Sequence, residues 1–167
     1  LFTDKRNPAI VVTSPVCGTI TKIARGERRK ILSFEIDADG DQSKRQSFQT
    51  ANLSDENIIA TLLASGLWAM LRQRPYGIVP DPSVRPRDIF ISTFDTSPLA
   101  PDHTLYISGQ ERHFDKGVEI LSKLTTGRVY IGCTENHVYN SDFATTKIFS
   151  GPHPAGNIGT QIAAVAP

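Results

Sequence analysis

The residues best suited to touching a ligand lie in Gly151-Pro152-His153-Pro154-Ala155-Gly156-Asn157-Ile158-Gly159-Thr160. Gly151, Gly156 and Gly159 let backbone approach a bound group closely, and free N–H groups in such a loop can hold an anion. His153 is the one histidine of the loop, which makes it the best single candidate for a polar contact. The pattern is not G-x-G-x-x-G, nor a Walker loop, because no lysine follows Gly156. Two prolines also remove two donors. A rigid structural turn is the competing reading, since glycines in turns are ordinary. A second candidate is Asp95 in Asp95-Thr96-Ser97-Pro98-Leu99, just past a strand-like run at 89–94, where open α/β sheets place ligands. Asp and Ser ahead of a proline equally make a good turn. No catalytic residue and no metal-ligand set stands out.

Two further features could carry chemistry. Thr3-Asp4-Lys5, followed by Ser14-Pro15-Val16-Cys17-Gly18, resembles the biotinyl/lipoyl barrel, where a hairpin-tip lysine carries the cofactor. Here the separation is about two residues too long, and Arg6-Asn7-Pro8 stiffens the tip, so Lys5 reads as an unmodified surface lysine. Arg25, Arg28, Arg29 and Lys30 cluster around Gly26, which suits a phosphate grip or, more ordinarily, a solvated hairpin tip.

Composition narrows the function classes. The 167 residues carry 18 Lys+Arg against 17 Asp+Glu, a net charge of +1, which argues against electrostatically driven binding to nucleic acid or anionic lipid. Cys17 and Cys133 are too few for a disulfide framework, an iron–sulfur cluster or a cysteine zinc site. The four histidines, at 103, 113, 137 and 153, lack close ligand spacing. The longest apolar stretch, 58–71, is interrupted by Thr61, Ser65 and Gly66 and falls short of the ~20 residues a membrane span needs. The start, LFTDKRNP, has no apolar signal-peptide core. Because residue 1 is Leu and the only methionine is Met70, we expect a piece of a longer polypeptide.

These residues need a scaffold. Runs at 9–13, 18–24 and 30–36 are short and β-branched, with turn residues between them, and predict strands; Ile20 and Ile23 break strict alternation. Three such strands need more strands or a partner domain to bury both faces. Residues 39–50 read as a linker. Ser54 is a good N-cap, with Asp55 and Glu56 at the positive end of the dipole and Ile58, Ile59, Leu62 and Leu63 on one face. Gly66 suits a helix stop, and a second helical stretch at 67–73, carrying Trp68 and Leu71, ends before Pro75. Four prolines and Gly77 make 74–87 a loop. Strands at 89–94, 129–133 and 146–149, with a helix at 111–124 presenting Phe114, Val118, Leu121 and Leu124, imply a parallel sheet with crossover helices. The expected organisation is a partial barrel at 1–38, a linker at 39–53 and a Rossmann-like α/β domain at 54–167.

Taken together, the stretches 4–29, 51–76 (ANLSDENIIATLLASGLWAMLRQRPY), 94–102 (FDTSPLAPD) and 149–162 (FSGPHPAGNIGTQI) resemble the A subunits of the sodium-translocating NADH:quinone oxidoreductases. The resemblance covers essentially the whole chain. It implies a barrel-sandwich remnant akin to biotinyl/lipoyl modules, then a Rossmann-like domain similar to the NADH-binding subunit of complex I. It also implies a peripheral protein on the cytoplasmic face of the bacterial inner membrane, associated with quinone and docked on a membrane subunit. NADH, FAD, FMN, a 2Fe-2S centre and quinone are then used by the parent complex, none of the cofactors bound by this stretch, and the fragment alone is not catalytic. Ser150-Gly151 stands where the family often has Gly-Gly, and Gln161 stands where histidines are common. Two other readings stay open: a free-standing NADH- or flavin-binding oxidoreductase domain, and the C subunit of a related electron-transport complex, which its clustered cysteines would mark.

Overall fold

The computed structural model describes residues 1–48 and 54–165, which divide into two units. The described residues of Leu1–Leu53 join Ala60–Met70 in the first; those of Ser54–Ile59 and Leu71–Pro167 form the second.

The first unit is built from two antiparallel pairs. Strand β1 (Phe2–Thr3) pairs with β2 (Val11–Val12), and β3 (Gly18–Arg25) pairs with β4 (Ile31–Ala38). The register of the second pair explains the broken alternation in the sequence. Ile20 faces Ile36 and Ile23 faces Phe34, with a register shift between Ile20 and Lys22. That bulge absorbs Thr21, so two isoleucines three residues apart share one face of the ladder. Lys22 faces Glu35 on the other side, where the two form a 2.8 Å ion pair. Phe34 stacks on Phe2 of β1 with ring centroids 6.0 Å apart. Lys5 is exposed in the β1–β2 turn, which Asp4 organises by accepting the N–H groups of Arg6 and Asn7 at 2.7 and 3.0 Å.

Helix α1 (Asp55–Ala64) follows Ser54, whose Oγ accepts the Asn57 N–H at 3.4 Å. Its stop is Gly66, at φ +78 with its N–H donating to Leu63 O. A side chain there would also meet Thr13, whose hydroxyl donates to Ser65 O. The expected second helix at 67–73 is instead a 3₁₀ turn, Leu67–Met70. The backbone then enters a tight turn in which the Gln73 N–H donates to Ile78 O, so no room is left for another helical turn. Trp68 is buried, whereas Met70 is exposed.

In the second unit, β5 (Ile89–Ser92), β6 (Val129–Cys133) and β7 (Thr145–Ile148) form a parallel sheet in that order. The β5–β6 crossover carries a short helix α2 (Thr104–Ile107) and the long α3 (Glu111–Ser122). Val118 of α3 packs with Val129, Ile131 and Cys133 as the buried centre, flanked by Ile89, Ile91, Phe114, Tyr139 and Ala144. The expectation of crossover helices needs one correction: residues 134–144, between β6 and β7, contain no helix. That link is closed by side chains instead, Thr146 Oγ1 donating to Tyr139 O at 2.7 Å and Ser141 Oγ to Asp115 at 2.5 Å. Helix α4 (Ile158–Val165) follows the glycine loop, which the sequence presented only as a loop motif. Of the expected linker, 39–48 contains no strand or helix, and 49–53 lies outside the described residues.

Candidate functional site

The carboxyl end of β5 opens into a cleft of about 340 Å³ lined by Arg74, Ser92, Phe94, Asp95, Ser97, His103, Gly156, Asn157 and Ile158. Asp95 and Gly156 are the candidate residues that line it. Asp95 sits in a self-contained turn: its Oδ1 accepts the Ser97 N–H at 2.8 Å and the Ser97 hydroxyl at 2.7 Å. Those two bonds, the backbone one foremost and assisted by nearby His103, hold the carboxyl below its ordinary range.

Two N–H groups of the glycine loop, those of Gly156 and Gly159, are engaged within the protein. A Cβ on Gly156 would collide with the backbone of Asp95 and Thr96, so this glycine exists to let the two loops touch. Its N–H donates to Thr96 Oγ1 at 2.9 Å, and the same hydroxyl lies 3.3 Å from His153 Nδ1. Gly159 donates its N–H to Asn157 Oδ1 at 2.8 Å, which makes Asn157 the side-chain cap of α4. Gly151, at φ +129, sits in a conformation that suits glycine, and a Cβ there would meet only Ala155 Cβ, at an ordinary 3.8 Å. Thus Asp95, His153 and Gly156 converge through Thr96, while Gly159 belongs to the helix cap and Gly151 shapes the turn.

Behind this latch is Gln161, 2 % exposed. Its Nε2 donates to Ser92 Oγ at 3.0 Å and to Ala155 O at 3.5 Å, tying α4 to the end of β5 and to the loop. Its Oε1 fills the space a side chain on Gly132 would need. Asn157 carried a legible signal, a capping residue ahead of an apolar run. The contacts of Thr96 and Gln161 carried none, because their partners lie 60 and 69 residues away in the chain. Among the described residues, no three His, Cys, Asp or Glu side chains converge as metal ligands. Cys133 is fully buried and Cys17 half-buried, both free thiols. Among the described residues, no helix is long and apolar enough to cross a membrane.

Comparison with known proteins matches both units. Residues 53–167 match the family model described as the NqrA second alpha/beta domain, and residues 1–39 that of the NqrA N-terminal barrel-sandwich hybrid domain. The chain is 41% identical over 169 residues to the A subunit of the Na(+)-translocating NADH-quinone reductase of Yersinia pestis bv. Antiqua, covering 97% of this chain and 38% of the relative. It is 41% identical over 175 residues to the protein of that name from Photorhabdus laumondii, covering 100% of this chain and 39% of the relative. The Pseudomonas aeruginosa PAO1 protein is likewise 41% identical, with 97% and 38% covered. The chain therefore spans less than two-fifths of the length of the curated relatives it matches, and it belongs to the A-subunit family of the Na(+)-translocating NADH-quinone reductases.

Proposed function

We propose that this chain works as a peripheral, non-catalytic part of a respiratory Na+-translocating NADH:quinone oxidoreductase. It sits at the cytoplasmic face of the bacterial inner membrane, where it associates with quinone and docks on a membrane subunit. The complex couples NADH oxidation to sodium export, and its FAD, FMN and 2Fe-2S centre sit on other subunits. The α/β unit is a Rossmann-like fold whose ligand loop has become a structural latch. The observation that carries this reading is the hydrogen bond from Gly156 N–H to Thr96 Oγ1, with the Gly159 N–H engaged by Asn157. A loop that cradles phosphate must keep such donors free and aimed at the ligand. Here they are consumed within the fold, and Gly156 approaches protein backbone. The barrel-sandwich match and the names of the relatives support membership of the complex.

The quinone role is tested by a photoreactive quinone analogue on the intact complex. Labelling of this protein is the expected result. Absence of label on it removes the quinone association.

A further inference from the structure

The β3–β4 turn concentrates charge that the whole-chain balance conceals. Residues 25–30 hold four cations, Arg25, Arg28, Arg29 and Lys30, and one carboxylate, Glu27, a net +3 against +1 for the entire chain. All four cations are exposed. Ion pairs form elsewhere, at Lys22–Glu35, Arg85–Asp55, Arg87–Asp88 and Glu119 with Lys116 and Lys123, but none of these involves the tip. The backbone holds the cluster in place: the Gly26 N–H donates to Lys30 O at 2.8 Å, and Arg28 and Arg29 both have positive φ, 54° and 61°. The Arg25 guanidinium braces this left-handed backbone, its Nη1 donating to Arg29 O at 3.3 Å. Leu32, 62 % exposed, leans over Gly26, its Cδ atoms 3.2 Å from where a Cβ would lie. The tip thus presents four exposed cations close in sequence to the exposed side chain of Leu32.

We propose that this turn docks on an anionic phospholipid surface, Arg25, Arg28, Arg29 and Lys30 among the headgroups and Leu32 at the acyl boundary. The inference rests on the reading that the protein works at a bacterial membrane. Charge complementarity favours lipid: four exposed cations concentrated in one turn meet a diffuse negative charge, with the exposed Leu32 beside them to seat in the boundary. Each cation near such a surface strengthens binding about fivefold.

The test is vesicle co-sedimentation of the purified full-length protein on phosphatidylcholine vesicles with and without phosphatidylglycerol. Binding should require phosphatidylglycerol and fade as salt rises. Arg28→Gln/Arg29→Gln should weaken it on the order of thirtyfold, whereas Arg28→Lys/Arg29→Lys should bind as the parent does. If the glutamine pair fails to fold, the salt and phosphatidylglycerol dependence of the unsubstituted protein decides. Binding indifferent to phosphatidylglycerol, or unchanged in the glutamine pair, overturns the proposal. So does an unchanged vesicle affinity in a glutamine variant that has lost its partner subunits, which would assign the tip to an acidic protein surface. Co-purification with the other subunits reads membership of the complex separately.

Discussion

Gly156 donates its backbone N–H to Thr96 Oγ1 at 2.9 Å, in a contact so close that a methyl group on Gly156 would overlap the Asp95–Thr96 backbone. One hydroxyl therefore holds the glycine loop to the end of β5 and also meets His153. Thr96→Val keeps the shape and removes the acceptor. It should cost about 1–3 kcal/mol, the penalty for a part-buried donor left unpaired, while Thr96→Ser should stay within about 0.5 kcal/mol of the parent. Urea unfolding of the three proteins checks this.

Glycine substitutions separate the latch from ordinary turns. Gly156→Ala forces backbone to shift and should destabilise by about 1–3 kcal/mol. Gly117, inside α3 with nothing within 4 Å of a built Cβ, is the control. Gly117→Ala should stabilise by roughly 0.5–1 kcal/mol, because alanine loses less backbone entropy in a helix. Thermal melts reporting the same sign for both would show that Gly156 is not a packing contact.

Gln161 and Gly132 should couple. Gln161→Ala removes two hydrogen bonds from a buried site and should cost roughly 2–4 kcal/mol. Gly132→Ala is opposed by the Gln161 amide, so it should be markedly less harmful in the Gln161→Ala background. A double-mutant cycle should give an interaction of about 1 kcal/mol or more; additivity would contradict the packing described.

Asp95 supplies the pH prediction. Its folded pKa lies below 3.8, the ordinary value, chiefly through the Ser97 N–H and hydroxyl. A depressed carboxyl binds fewer protons folded than unfolded, so its stabilisation is complete above that ordinary value and fades as pH falls through the folded pKa. Ser97→Ala should move the Asp95 titration upward, as followed by carboxyl NMR, and soften the acid limb of stability below about pH 4.

Much of the fold was legible because its signals are local. Ser54 and Gly66 marked the ends of α1, and the apolar spacing of Phe114, Val118 and Leu121 marked α3. The bulge at Thr21 was visible only as imperfect alternation, since its resolution depends on pairing with Glu35 across the ladder. Helix α4 was hidden because Pro154 and Gly156 precede it and Gly159 lies in its first turn, so the capping signal of Asn157 is surrounded by turn residues. At the site, Asp95 and the glycines stood out as residue types. What they bond to did not, because Thr96 and Gly156 are 60 residues apart in the chain.

The most direct test of the latch is calorimetric titration of the purified protein with NADH and with FMN. With Gly156 and Gly159 N–H groups already engaged, neither should bind saturably. Tight, saturable binding of either, lost in Gly156→Ala, would contradict the latch and restore a working nucleotide site at residues 151–159.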